Sequence, residues 1–424
     1  MVVAGLSTVV EWYDFTLYLY FSTVLGRVFF GTGPQSMTVT LGGFAIAYLM
    51  RPIGALVFGH FGDRRGRRVT MLGSMALMTF AMLATAMLPT YAQIGPLAGV
   101  MLIALRCLMS FSVGGEYTGV VAYLLEGARD NRRGLITSCA SAASEVGALL
   151  AAGAAALTVW AMPEEALVSW GWRLPFLFGA ALAGLVLITR ALLEETPEFL
   201  RQRDAGTVPI SPIRQTLTRH RSAIARGFAI SALGSITYYV GITYVPVFLD
   251  ATGTMPEARA LSISVFAALT VILVTPLIGL ASDRFGRRPM LLMLALGGMV
   301  LPTSMFAVMA GGGAATWAAA IVMAALGGAV SAVGAVATAE QFPGEGRLSG
   351  LALGATTATA IFGGLTPLVA HLLVKNSGWA AAPGAMIACV ALCVIIVFWR
   401  MPETAPACIG RTAFGARPSS GNQG

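Results

Sequence analysis

Apolar runs of about 20 residues, each long enough to cross a bilayer as a helix, recur from one end of the chain to the other, separated by short polar gaps. Twelve such helices are predicted, at 4–26, 37–58, 69–89, 96–125, 135–160, 174–192, 223–249, 258–281, 289–310, 315–339, 349–374 and 380–399. Most of the chain's 50 Gly fall within them. Small residues let membrane helices approach closely, so glycine reads here as a packing device more than a breaker. The expected fold is an all-α membrane protein with twelve transmembrane helices.

Composition agrees with a lipid-facing surface. Of the 424 residues, 57% are hydrophobic and 11% charged, where a soluble protein carries about a quarter charged. The formal charge is +8, and Lys375 is the single Lys among 27 basic residues. This surplus does not call for nucleic acid, because the Arg residues occupy alternate gaps: Arg64, Arg65, Arg67 and Arg68; Arg129, Arg132 and Arg133; Arg201 to Arg221; Arg284, Arg287 and Arg288. The opposite gaps hold only Arg27, Arg173, Arg259 and Lys375. The positive-inside rule then puts both termini in the cytoplasm of a bacterial inner membrane, with Trp160, Trp170 and Trp172 as an aromatic belt on the other face. No signal peptide is expected, since the first apolar segment carries Glu11 and Asp14 and no basic stretch precedes it. The five Cys show no metal or redox spacing. With no phosphate-binding loop and no nucleophile–base arrangement, neither an enzyme nor a cofactor or metal is expected.

An internal repeat organises the chain. Gly59-His60-Phe61-Gly62-Asp63-Arg64-Arg65-Gly66-Arg67-Arg68 follows the second segment, and Gly279-Leu280-Ala281-Ser282-Asp283-Arg284-Phe285-Gly286-Arg287-Arg288 follows the eighth. Gly, Asp, Arg, Gly and the Arg-Arg pair coincide, 220 residues apart. The sixth segment exits through Glu195-Thr196-Pro197-Glu198 and the twelfth through Pro402-Glu403-Thr404. The division is 1–192 for a first six-helix bundle, 193–222 for a polar linker, 223–399 for a pseudo-symmetric second bundle and 400–424 for a tail. Matched bundles around a central site are a transporter design.

The repeated loop resembles the signature of the major facilitator superfamily. Glu11-Trp12-Tyr13-Asp14-Phe15, Met50-Arg51-Pro52, Gly114-Gly115-Glu116-Tyr117-Thr118-Gly119 and Trp170-Gly171-Trp172-Arg173 further resemble its metabolite:proton symporters. Those take up citrate, 2-oxoglutarate, shikimate, proline or betaine. The run around Glu116 looks like the proline/betaine members, and Ile361-Phe362-Gly363-Gly364-Leu365-Thr366-Pro367 like the citrate members. The resemblance implies that Asp63 and Asp283 each hold the N-terminal end of a neighbouring helix, as latches between conformations, while the Arg residues anchor the loops at anionic lipid headgroups. The resembled family carries a short tail before its first span, so the natural start is expected upstream.

An ionisable group inside a span is costly and marks a functional candidate. Glu11, Asp14 and Tyr18 fall on one face of the first segment, expected toward the cavity, where a carboxylate can take up a proton on one side and release it on the other. Arg106 in the fourth segment needs an anion: Glu116, Glu145 or a substrate carboxylate. Ser138, Ser141 and Glu145 share a small polar face suited to lining a cavity. Glu145 departs from the resembled relatives and offers an extra proton or ligand site. Arg51 is placed either to bind a substrate carboxylate or to snorkel to the headgroups. Glu340 reads as half of a structural pair, and His371 as a hydrogen-bonded or proton-shuttling group. Thr237, Tyr238 and Tyr244 of the seventh segment can bind a carboxylate or, through the rings, a quaternary ammonium. Asp14, Glu116, Glu145 and Arg106 are thus the proton-coupling candidates. Arg51, Arg106, Tyr18, Glu145, Thr237, Tyr238 and Tyr244 are the substrate-binding ones. The expected function is proton-driven uptake of a small organic acid by a monomer whose other partners are protons and lipids. The alternative substrate is a zwitterionic osmolyte.

Overall fold

The computed structural model describes residues 2–31, 36–114, 116–192, 195, 197–206, 212–343, 347–406 and 408. Among these the regular structure is entirely helical. The first bundle contains α1 (Val2–Tyr20, resuming as Ser22–Phe30), α2 (Ser36–Tyr48 with Met50–Arg65) and α3 (Arg67–Ala86). It continues with α4 (Leu97–Val113 with Glu116–Gly127), α5 (Arg133–Ala161) and α6 (Arg173–Ala191). Short helices Pro197–Asp204 and Pro212–Arg219 occupy the linker.

The second bundle opens with α7, which runs from Arg221–Tyr238 through a π-helical turn, Tyr239–Thr243, into Val245–Ala251. Then come α8 (Glu257–Phe285), α9 (Arg287–Ala310) and α10 (Ala314–Glu340). α11 begins at Arg347–Leu351, carries π-turns at Ala352–Thr356 and Ala360–Leu365, and ends as Thr366–Ser377; α12 is Ala382–Arg400.

Among the described residues nine helices are each long and apolar enough to cross a membrane, and α7, bent by 45°, makes a tenth. The other two, α1 and α4, are interrupted and carry buried charge, which is why length and hydropathy alone pass them over. With them the count is the expected twelve. The 29 residues of α5 extend about 43 Å, well beyond a hydrocarbon core of about 30 Å, so its ends stand at headgroup level.

The repeat is realised in the packing. In the first bundle α1 lies on α5 and α6, α2 on α4, and α3 on α4 and α6. In the second, α7 lies on α11 and α12, α8 on α10, and α9 on α10 and α12, the same scheme six helices later. The bundles meet along α5 against α8 and α10, and along α2 against α11. Each has its own aromatic core, around Trp172, Phe176 and Phe29 in the first and around Phe248, Phe306 and Met309 in the second. Tyr238 and Tyr239 are carried by α7 yet join the first bundle's core.

The α2–α3 and α8–α9 loops lie at one end of the molecule, here the loop end; the opposite end is the far end. Each loop turns at a glycine of positive φ, Gly66 (111°) and Gly286 (100°), a conformation other residues adopt only with strain. The next helix is then capped from the motif that leaves the bundle. Glu195 accepts from the Arg68 N–H at 3.2 Å, and Glu403 accepts from the N–H groups of Arg287 at 2.8 Å and Arg288 at 3.0 Å. A carboxylate at a helix N-terminus satisfies otherwise unpaired donors and meets the positive end of the dipole.

Candidate functional site

Between the bundles lies a cavity of ≈ 150 Å³, space for roughly ten waters or one small metabolite. The first bundle contributes Glu11, Trp12, Arg51, Ser141 and Glu145 to its wall, and the second Ser235, Tyr238, Tyr239, Ser331, Thr338 and Thr356. One wall is ionic and aromatic, the other rich in hydroxyls. The π-turns of α7 and α11 flank the cavity, where such irregular turns commonly serve function.

Arg51 holds the middle of the ionic wall. Its Nη1 donates to Tyr48 Oη at 2.9 Å and lies 3.8 Å from Glu11 Oε1. Its guanidinium sits over the rings of Tyr48 at 4.2 Å and Phe15 at 4.9 Å. It is buried, so it does not snorkel. Glu145 accepts a hydrogen bond from Tyr238 Oη at 2.5 Å, across the bundle interface. Among the described residues Glu145 has no ion-pair partner. Four cavity-lining polar atoms have no hydrogen-bond partner among the described residues: Trp12 Nε1, Arg51 Nε, Ser141 Oγ and Thr338 Oγ1.

Beside this cavity, inside the first bundle, a smaller chamber is lined by Glu11, Asp14, Tyr18, Tyr48, Arg51 and Arg106. Arg106 pairs there with Asp14, Nη1 to Oδ2 at 2.7 Å, and its Nη2 donates to Thr85 at 3.0 Å. Tyr18 Oη donates to the Thr40 carbonyl at 3.3 Å, and Arg106 lies 5.5 Å from the Tyr18 ring centre.

Both ends of the main cavity are closed. Toward the far end Tyr48 Oη and Tyr239 Oη lie 2.5 Å apart, with Phe15 edge-on to both rings. Gly364 of α11 lies against this layer so closely that a Cβ would stand 2.7 Å from Tyr48 Cβ. At the loop end Asp63 accepts from Ser349 Oγ at 2.8 Å and from Ser349 N at 3.4 Å, at the start of α11. Asp283 accepts from Gly134 N at 2.8 Å and Leu135 N at 3.0 Å, at the start of α5. Each signature carboxylate therefore sits at a helix N-terminus of the other bundle.

Several expectations need correction. Arg106 takes Asp14 as its anion, not Glu145. Asp14 and Tyr18 face the side chamber and not the main cavity, because the charge pair is sealed within the first bundle. Tyr244 is buried in the second core against Phe248, its hydroxyl without a partner among the described residues. Thr237 spends its hydroxyl on the Leu233 carbonyl at 2.7 Å. Neither lines the cavity, because the π-turn after Tyr238 rotates the following face away. His371 is half-buried beside Tyr244, with rings 6.5 Å apart.

Among the signature arginines, Arg287 is buried and not a headgroup anchor: it pairs with Asp283 at 2.8 Å and Glu340 at 3.2 Å. Arg64, Arg65, Arg68 and Arg284 are exposed. The side chains of Glu116 and Arg67 lie outside the described residues. Sequence reasoning passed over Tyr48, Trp12 and Tyr239, which look like ordinary apolar-run aromatics; a Tyr48–Arg51 helical spacing was the one available signal. Among the described residues no His, Cys, Asp and Glu group is placed to hold a metal ion.

Comparison with known proteins follows the same lines. Residues 1–208 match the sugar (and other) transporter family and residues 255–420 the major facilitator superfamily. A proline/betaine transporter of Salmonella typhimurium is 31% identical, over 98% of this chain and 85% of its own length. The alpha-ketoglutarate permease of Escherichia coli is 34% identical over 89% of this chain and 88% of its own. The citrate-proton symporter of Klebsiella pneumoniae is 29% identical over 91% and 87%. The fold matches that of the proton:xylose symporter XylE with a TM-score of 0.79 at 19% identity, covering 95% of each chain. Two matched six-helix bundles, a closed cavity between them, reciprocal Asp latches and these full-length relatives identify the chain as a multi-pass membrane transporter of the major facilitator superfamily.

Proposed function

We propose that this protein is a proton-coupled symporter that takes up a small carboxylate-bearing metabolite by alternating access. The loop end faces the cytoplasm, as the arginine distribution favours. The observation that carries the reading is the set of unanswered donors on the cavity wall. Trp12 Nε1–H and Arg51 Nε–H line the cavity without an acceptor, and buried donors left unpaired are costly. A substrate carboxylate supplies acceptors to both. Glu145 supplies a proton site on the same wall, and the Asp14–Arg106 pair a second acid one layer away.

The charge of the wall favours a zwitterion. Arg51 is already balanced by Glu11, and Glu145 adds a carboxylate with no cation beside it. An ammonium group fits between Glu145 and the faces of Trp12 and Tyr238, where cation–π attraction adds to the ionic one. A second reading, an organic acid, is favoured by the likeness to the alpha-ketoglutarate permease; it requires Glu145 to be protonated when the substrate binds.

Uptake into proteoliposomes under an imposed pH gradient separates the two. Labelled betaine and proline should accumulate and each should compete with the other. Accumulation of 2-oxoglutarate or citrate, uninhibited by betaine, would replace the zwitterion by the organic acid. No gradient-driven accumulation of any of the four would remove the symport reading.

A further inference from the structure

Two adjacent residues of α7 reach across the interface in two directions. Tyr238 donates to Glu145 of α5 at 2.5 Å, and Tyr239 meets Tyr48 of α2 at 2.5 Å. Both targets belong to the first bundle. Trp12 is wedged against both rings, edge-on to Tyr238 at 5.2 Å and stacked near Tyr239 at 6.3 Å. The pair stands at the entry to the π-turn Tyr239–Thr243, just before α7 bends by 45°. A bent, irregular helix carrying two cross-interface hydrogen bonds is a hinged clasp, and it closes the cavity toward the far end.

The two arms end on different chemistry. The Tyr239 arm runs through Tyr48 to the guanidinium of Arg51 at 2.9 Å, the cation on the substrate wall. The Tyr238 arm ends on a carboxylate. We propose that Tyr238 and Tyr239 form a two-key gate, in which the Glu145 arm reads the proton and the Arg51 arm reads the substrate carboxylate. This rests on the symport reading above.

The sign follows from hydrogen-bond strength. A phenol donating to an ionised carboxylate makes a charge-assisted bond, roughly twice as strong as a neutral one. Ionised Glu145 therefore holds the clasp shut in the empty carrier, which must return with its cavity closed. Protonation from the far side weakens that arm and opens the clasp. A substrate carboxylate on Arg51 then restores a contact network between Arg51, Tyr48 and Tyr239 and closes it again. A carrier holding a proton alone stays open, so it does not leak protons across the membrane.

The titratable and charged groups facing Glu145 are consistent with this role. Tyr238 comes from α7, Tyr20 and Glu11 from α1, and Arg51 from α2 across the cavity. α8 and α10 also lie on α5, but their charges, Asp283 and Glu340, are at the loop end and engaged with Arg287. The α4 residue Glu116 has its side chain outside the described residues.

The test is a distance measurement that needs neither a gradient nor turnover. Spin labels are placed at Ala92→Cys and Asp250→Cys, both exposed at the far end of opposite bundles, after the native Cys are replaced. Electron–electron resonance distances are then read in mildly alkaline and mildly acidic buffer. The wild-type pair should lengthen in acid. Glu145→Gln and Tyr238→Phe should show the long distance at both pH values. Tyr239→Phe should lengthen it while keeping a response to acid. Betaine or 2-oxoglutarate added in acid should restore the short distance in wild type and not in Arg51→Gln.

A wild-type distance unmoved by acid, or a Glu145→Gln protein that responds as wild type does, overturns the gate even if uptake is proton-driven. A pH response that persists while neither probe shortens the distance overturns the substrate arm. An intact response to both keys without gradient-driven uptake instead removes the symport reading and leaves the gate.

Discussion

Asp14 and Arg106 show what one buried pair does in this molecule. Both side chains are almost fully enclosed, so each charge depends on the other for its solvation. Removing one partner of a buried pair costs about 3–5 kcal/mol, because the survivor is left uncompensated. Asp14→Ala and Arg106→Met should each lower the melting temperature in detergent sharply, and the double variant should lie well above the sum of the two losses. Additive losses in such thermal melts would show that the pair is not coupled. Arg51 behaves differently, because its partners include a cavity that a ligand can fill. Arg51→Lys keeps the charge but loses the flat stacking on Tyr48 and Phe15. We expect at least a tenfold rise in the half-saturating substrate concentration, about 1.4 kcal/mol, with the melting temperature little changed. An unaltered saturation curve would place the substrate carboxylate elsewhere.

At the scale of helices, the two copies of the signature motif have diverged in tightness. Gly279 of α8 lies against α5 so closely that a Cβ would stand 2.7 Å from the Gly134 carbonyl oxygen and clash with Ser138. The matching Gly59 of α2 has α11 no nearer than 3.6 Å. Gly279→Ala should therefore push α8 from α5 and favour the state open at the loop end, whereas Gly59→Ala should be tolerated. Cross-linking of cysteines placed at the starts of α5 and α11 reads the difference, and equal effects from both substitutions would refute it. The Glu403 cap belongs to the same scale. Glu403→Ala leaves the N–H groups of Arg287 and Arg288 without their acceptor and should destabilise by about 1 kcal/mol, visible as faster proteolysis of the tail end.

Over the whole molecule, closure at the two ends is built from different materials. The loop end is held by carboxylates on helix N-termini and the far end by tyrosines, glycines and stacked rings. Alternating access requires that one set yield while the other holds. Asp63→Asn keeps the shape but weakens the bond to Ser349, so the protein should insert and fold normally, transport more slowly and populate the loop-end-open form. Protease accessibility at the α2–α3 loop would report the shift. Normal uptake rates with unchanged accessibility would leave the Asp63–Ser349 contact without a role in the cycle. The separate aromatic cores make the motion physically reasonable, since each bundle keeps its own packing while the smaller interface between them rearranges.

The chain's own order of residues determined the membrane class, the twelve helices, the repeat and the candidate latches. These are local or periodic properties: run length, charge in the gaps, and spacing within one motif. The same linear reading singled out Glu145, because a carboxylate on a small polar helical face is conspicuous wherever the helix goes. It misplaced Thr237 and Tyr244, since a single π-turn after Tyr238 shifts the facing direction of everything beyond it. Which acid Arg106 takes, that Arg287 is buried, that Glu195 and Glu403 cap the following helices, and that Tyr48 and Tyr239 meet were decided only by the packed bundles. Those contacts join residues from 92 to 208 positions apart, and their partners are selected by helix crossing geometry, which no local pattern encodes.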